Sequence, residues 1–80
     1  MQRESYKTKA GETQYRPVMT EAEFRSEAGE YAGFCLACGN EQGNCEPDAR
    51  RYQCEDCRAM KVYGLEELLM MGLLKIAEPA

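Results

Sequence analysis

The sequence predicts a small α+β fold: three to four short antiparallel strands around one four-cysteine metal site, with a short helix before them and a second helix at the C-terminus. Size is the first observation behind this prediction. With 80 residues, no Trp and two Phe, a hydrophobic core alone leaves the chain marginally stable, so disulfides, a metal or a partner are expected to add stability. The second observation is that four of the five cysteines are grouped into two C-x2-C pairs. The third is the presence of periodic apolar patterns on either side of these pairs.

The first stretch of the chain, residues 1–16, is polar and lacks periodicity, so it is predicted to be a disordered tail. It carries four basic and two acidic side chains, a net charge of +2. Residues 17–80 are predicted to form a single domain, with six basic and twelve acidic side chains and a net charge of −6. Because an acidic body repels phosphate backbones, this balance favours a protein partner over nucleic acid.

Targeting signals are not evident in the sequence. The N-terminus has no apolar h-region, and the longest apolar run, LLMMGLL at 68–74, is too short to span a bilayer. A cytoplasmic location without a membrane association is therefore expected. Structural disulfides are disfavoured in that compartment, so paired cysteines there indicate metal binding or redox chemistry.

A short helix is predicted over about 21–28. Thr20 and Glu23 have the spacing of a capping box, in which each side chain accepts a hydrogen bond from the other residue's backbone N–H. Met19 and Phe24 have the spacing of a hydrophobic staple across the same helix start. The following glycine is expected to end the helix.

Three short segments have strand-like patterns, namely Tyr31–Cys35, Arg50–Cys54 and Met60–Tyr63. The segment Glu46–Ala49 has turn chemistry, since Pro occupies the second position of its tetrapeptide. The spacer between the cysteine pairs is therefore predicted to be a hairpin that turns at this tetrapeptide.

The C-terminal helix is predicted to begin at about Leu65, and Pro79 is expected to end it. One face, expected to cover the strands, consists of Leu65, Leu68, Leu69, Leu73 and Ile76. The apolar residues off that face, predicted to bind a protein partner, are Met70, Met71 and Leu74. Self-association and docking on another protein are both compatible with this surface. The alternative, that the strands and the first helix cover both sides of this helix, stays open.

The spacing C-x2-C-x15-C-x2-C is typical of a structural zinc site. Two thiolates on one tight turn can bind a metal from the same side, and two such turns supply four tetrahedral ligands. The predicted ligands of one Zn²⁺ per chain are Cys35, Cys38, Cys54 and Cys57. Iron in a similar four-cysteine site, a redox dithiol and a disulfide scaffold are alternatives that the spacing leaves open.

The fifth cysteine, Cys45, belongs to neither pair and is predicted to be a free thiol at the hairpin tip. A redox sensor or an intermolecular disulfide is the alternative. The neighbouring carboxylates of Glu46 and Asp48 are expected to disfavour its thiolate. Four thiolates leave a zinc ion no open position for water, and no nucleophile–base pair or phosphate loop is evident, so no enzyme is expected.

A second possible function is nucleic-acid binding by the strands. Basic and aromatic side chains alternate there and could contact phosphates and stack on bases. The candidate contacts are Arg50, Arg51, Arg58, Lys61 and Tyr63. The alternative is an ordinary solvated face whose side chains cover the small core.

Three motifs, GFCxxCG at 33–39, EPDARxYxCxxC at 46–57 and VYGxEELL at 62–69, resemble small zinc-ribbon proteins encoded by bacteriophages and prophages. The resemblance covers about residues 20–76. It implies that the four paired cysteines bind the metal and that the last helix packs against the ribbon. Arg58 departs from the pattern, because many zinc knuckles carry glycine there. The function predicted from the sequence is a non-enzymatic zinc-binding module that binds a protein, either a host protein or a second copy.

Overall fold

The computed structural model describes residues 2–77 of the chain. Its strands and helices, in chain order, are β1 (Gln2–Lys7), β2 (Thr13–Met19), α1 (Glu21–Gly29), β3 (Gly33–Cys35), β4 (Glu41–Gln42), β5 (Val62–Gly64), α2 (Leu65–Met70) and β6 (Lys75–Ile76). The strands form two three-stranded sheets, ordered β1-β2-β6 and β4-β3-β5. The α+β class is as predicted. The described residues contain more strands than expected, and the β2–β6 pair is parallel.

The N-terminal segment is a β-hairpin, so the prediction of a disordered tail over residues 1–16 is wrong for the residues described. β1 and β2 pair in an antiparallel register that places Glu4 opposite Arg16, and Arg16 Nε donates to Glu4 Oε1 at 2.9 Å. The hydroxyl of Tyr6 donates to Gln14 at 2.9 Å. Polar cross-strand pairs of this kind hold β1 in place. They leave no apolar alternation for sequence reasoning to detect.

Helix α1 follows the prediction closely. The backbone N–H of Glu23 donates to the Thr20 hydroxyl at 3.2 Å, and the Glu23 carboxylate accepts from the Thr20 N–H at 3.0 Å. This capping box is confirmed. Met19 is buried in the main core and Phe24 packs against the same core, as the staple spacing indicates.

Strand β3 lies within the first predicted segment, and β5 overlaps the third and extends one residue beyond it to Gly64, but Arg50–Cys54 is not a strand. Only Tyr52 pairs there, through two hydrogen bonds to Val62 of 2.9 and 3.0 Å. The neighbouring Arg51 has a φ of +55°, a left-handed conformation that interrupts an extended chain. The turn predicted before this segment is present, since the N–H of Ala49 donates to the Glu46 carbonyl at 2.9 Å.

Helix α2 begins where predicted but is much shorter. It ends at Met70, and Gly72 adopts a φ of +76°, which turns the chain away from the helix axis. The next residues run into β6, so Leu73 and Ile76 are not helical. Pro79, the expected helix end, lies outside the described residues.

The buried side chains form two clusters. The larger consists of Met19, Phe34, Leu36, Leu65, Leu68 and Leu74. The smaller consists of Cys35, Cys45, Ala49, Cys54 and Val62. Strand β3 contributes Phe34 to the larger cluster and Cys35 to the smaller, and β5 contributes Val62 to the smaller while Tyr63 packs against the larger. These two strands therefore join the main core to the cysteine-rich end of the molecule.

Candidate metal centre

The first cysteine pair lies on a tight turn at the end of β3, here called the first knuckle (35–40). The N–H of Cys35 donates to the Asn40 carbonyl at 2.9 Å, and the N–H of Gly39 donates to the Cys35 carbonyl at 2.8 Å. Gly39 has a φ of +79°, a conformation in which a Cβ would be strained. The backbone N–H groups of Cys38 and Ala37 partly offset the rise that burial causes in the pKa of the Cys35 thiol. The turn thus directs two sulfurs to one side.

The second pair repeats this arrangement in the second knuckle (54–59). The N–H of Cys54 donates to the Ala59 carbonyl at 2.9 Å, and the N–H of Arg58 donates to the Cys54 carbonyl at 3.0 Å. The Cys54 sulfur accepts from the N–H groups of Asp56 and Cys57, both at 3.4 Å. Arg58 occupies the left-handed position with a φ of +67°, so the departure from glycine at this position leaves the knuckle geometry intact.

The two knuckles face each other and bring the four predicted sulfurs together. All four Sγ atoms lie within 4.8 Å of one another. Across the knuckles, Sγ of Cys35 lies 3.7 Å from Cys57, and Sγ of Cys38 lies 3.6 Å from Cys54. Four sulfurs at about 2.3 Å from a central ion form a tetrahedron with edges of about 3.8 Å. Two of the sulfur separations match such an edge, and the cluster could therefore hold a metal ion.

Burial and hydrogen bonding shift the pKa values of the cysteine thiols in different directions. Burial raises the pKa of Cys35, and burial also raises the pKa of Cys38 to about 12. Burial opposes ionisation of Cys54 as well, but donors outweigh it and lower the pKa to about 6, namely the N–H groups of Cys57 and Asp56 and the Cys38 and Cys57 thiols. Because metal binding requires thiolates, affinity at this site is expected to fall as the pH falls.

The N-terminal hairpin covers the first knuckle, and sequence reasoning missed this contact. Arg3 Nη1 lies 3.4 Å from the carbonyl oxygens of both Cys38 and Gly39, and its guanidinium lies 5.6 Å from the Tyr15 ring centroid. The N–H of Tyr15 also donates to the Leu36 carbonyl at 2.8 Å. A Cβ on Gly39 would lie 2.6 Å from Arg3 Cδ, so glycine permits this close approach. The alternation of Tyr15, Pro17 and Met19 along β2, most of it beyond residue 16, is a signal that could have indicated this strand.

Cys45 is buried, whereas the sequence predicted a free thiol at the tip of a hairpin. It packs in the smaller cluster with Cys35, Cys54 and Val62, and its N–H donates to the Tyr31 carbonyl at 2.9 Å. Burial raises the pKa of the Cys45 thiol, and the neighbouring Glu46 carboxylate raises it further. The thiol therefore behaves as a small apolar core group.

The predicted protein-binding residues divide into two groups. Met70 is 82% exposed and Met71 is 44% exposed. Leu74 is only 6% exposed because the chain turns back after α2, so its predicted exposure is wrong. Leu69, expected on the covered face, is 42% exposed instead. We call Leu69, Met70 and Met71 the α2 patch.

The predicted nucleic-acid contacts do not share one environment. Arg51 and Arg58 are exposed. Arg50 Nε lies 2.8 Å from the buried carboxylate of Glu67. Tyr63 is half-buried and packs against the main core, and Lys61, which precedes β5, is also half-buried.

Comparison of the chain with protein-family models, with curated proteins and with solved structures finds no match. The resemblance to phage zinc ribbons therefore stays a prediction. Within residues 2–77, neither helix is long and apolar enough to cross a membrane.

Proposed function

We propose that the chain is a non-enzymatic zinc ribbon that holds one Zn²⁺ and serves as a protein-interaction module. The observation that carries this proposal is the convergence of four cysteine sulfurs from two matching knuckles. Sulfur separations of 3.6 and 3.7 Å match the edges of a tetrahedral four-thiolate site. An all-sulfur tetrahedral set suits Zn²⁺ and also iron, so the metal is the first point to test.

The zinc serves the fold rather than a reaction. Four thiolates complete a tetrahedral shell and leave no position for a water or substrate ligand. The described residues of the ribbon end bury only a small cluster, in which two of the members, Cys35 and Cys54, are themselves ligands. The metal therefore links the two knuckles, and metal binding is coupled to folding.

The α2 patch is the surface that this scaffold presents to a partner. Its two methionines and one leucine are adjacent in sequence and exposed, and flexible thioether side chains adapt well to a partner surface. The chain has a net charge of −4, and four thiolates with one Zn²⁺ shift it to about −6. Charge complementarity therefore favours a protein with an apolar binding face and a basic rim, rather than a second acidic copy.

Native mass spectrometry of the untagged protein, purified under reducing conditions, tests the metal site. We expect one zinc per chain and a colourless protein. Visible absorbance would indicate iron, and the metal would then be assigned as iron instead of zinc. The absence of any metal would overturn the proposal. A mass lower by two hydrogens per cysteine pair would instead indicate disulfides.

A double substitution that introduces two negative charges tests the interaction surface. We expect the variant with both Met70→Glu and Met71→Glu to lose the partner protein that the wild-type protein captures. Met60→Glu is the matched control, because Met60 is also exposed but lies outside α2. Equal capture by both variants, at equal zinc content, would show that the α2 patch is not the binding face.

A further inference from the structure

We propose that Cys57 is the point at which hydrogen peroxide attacks the metal centre, and that the attack ends in a disulfide between Cys57 and Cys35. This inference rests on the proposed zinc site and adds a modification site to it. It makes the ribbon a module whose fold depends on the oxidation state of one exposed ligand.

The four ligands differ in their access to solvent. Cys57 is exposed, Cys38 is half-buried, and Cys35 and Cys54 are buried. Only a sulfur with solvent access can meet a dissolved oxidant, and thiolates bound to zinc keep nucleophilic electron pairs. The surface side of the second knuckle is therefore the point of entry.

The sulfur nearest to Cys57 determines the product of the oxidation. Sγ of Cys35 lies 3.7 Å from Sγ of Cys57, across the two knuckles. This is close enough for the buried sulfur to attack an oxidised Cys57 after a small movement. The sulfur of Cys45 lies outside the group of four, so Cys35 is the partner assigned to Cys57.

The chemistry balances with one peroxide molecule. The Cys57 thiolate attacks a peroxide oxygen, the O–O bond breaks, and a sulfenic acid and hydroxide form. The Cys35 thiolate then attacks the sulfenic sulfur, the S–S bond forms, and a second hydroxide leaves. The two sulfurs together lose two electrons, which reduce the peroxide. The disulfide removes two of the four ligands. Since only the thiolates of Cys38 and Cys54 remain, we expect the zinc to be released.

The test uses zinc-loaded wild-type protein treated with substoichiometric hydrogen peroxide in the presence of a chromogenic zinc chelator. We expect zinc release in proportion to peroxide, a mass lower by two hydrogens, and a Cys35–Cys57 disulfide in peptide maps. A sulfenic-acid trap added during the reaction should label Cys57. Thiol reductant and zinc together should restore the starting mass and metal content.

A matched pair of variants separates entry at Cys57 from general oxidation. Cys57→His keeps a zinc ligand but removes the attacked sulfur, so peroxide-driven zinc release should be lost. Cys38→His changes the other knuckle and keeps both reacting sulfurs, so release should persist. If either variant fails to bind zinc, the trapped residue and the disulfide map of the wild-type protein decide the question.

The possible failures are distinguishable. Zinc bound before peroxide but label on Cys38 or Cys45, or a Cys38–Cys54 disulfide instead, would overturn this inference and leave the proposed zinc site standing. A protein that contains no zinc at the start would overturn the proposed function itself, and this inference with it.

Discussion

The two knuckles have the same backbone design but different surroundings. In each, the N–H of the first cysteine donates across the turn, and the residue after the second cysteine donates back to the first carbonyl. Both of those residues, Gly39 and Arg58, have a left-handed backbone, with φ of +79° and +67°. Their surroundings differ. Gly39 has no side chain and lies beneath Arg3, whereas the side chain of Arg58 is exposed.

This difference shows that the knuckle itself tolerates a side chain at the left-handed position. The cost of that conformation for a non-glycine residue is about 1–2 kcal/mol, which metal binding can offset. Glycine becomes necessary only where another segment covers the turn. In this molecule, that segment is the N-terminal hairpin, which packs on the first knuckle.

Removal of a metal ligand has the largest expected effect, and this effect should be the same in both knuckles. We expect Cys38→Ser, in the first knuckle, and Cys57→Ser, in the second, each to abolish zinc binding and cooperative folding. Structural zinc contributes about 10 kcal/mol or more, which is comparable to the whole stability of a small domain. Zinc content and far-UV circular dichroism measure the result.

Cys45→Ala is the control, because this thiol is buried but is not a ligand. It leaves a cavity of about one sulfur atom and should cost only about 1 kcal/mol, with zinc content unchanged. A Cys38→Ser or Cys57→Ser protein with full zinc content and wild-type stability would contradict the four-sulfur assignment.

Substitution at the left-handed position should affect the knuckles with opposite sign. Gly39→Ala should destabilise the zinc-loaded protein by at least about 1–2 kcal/mol, since the new Cβ is strained and displaces Arg3. Arg58→Gly should stabilise it by up to about 1 kcal/mol, because the strain is relieved while unfolded-state entropy rises. Denaturant unfolding at fixed excess zinc measures both changes. Destabilisation of equal size in both variants would show that the two positions are equivalent after all.

Sequence reasoning predicted the four-cysteine cluster because its signal is local. The four cysteine positions, the capping box at Thr20 and the turn at Ala49 each depend on residues only a few positions apart. The position of Cys45 could not be read in this way. Its burial depends on how the spacer packs beneath two knuckles, and sequence spacing does not determine that packing.

The N-terminal hairpin and the end of α2 show where sequence reasoning stopped. β1 is polar on both faces and is held by pairs such as Glu4–Arg16, so it has the composition of a tail. After Met70, the apolar leucines continue a helical pattern, yet Gly72 turns the chain into a strand that pairs with β2. Both outcomes depend on tertiary pairing between distant segments, which overrides local periodicity.

The smallest expected effect comes from removing the contact between the N-terminal hairpin and the first knuckle. Arg3→Ala removes two hydrogen bonds to knuckle carbonyls and the contact with Tyr15, without touching a ligand or the second knuckle. We expect a local loss of about 1 kcal/mol, which corresponds to about fivefold faster hydrogen exchange at the Gly39 amide and unchanged exchange at the Arg58 amide. Lys7→Ala is the matched control, since Lys7 is an exposed cation on the same face of β1. Equal acceleration in both knuckles, or an equal effect of Lys7→Ala, would mean that the hairpin stabilises the molecule only in general and does not specifically cover the first knuckle.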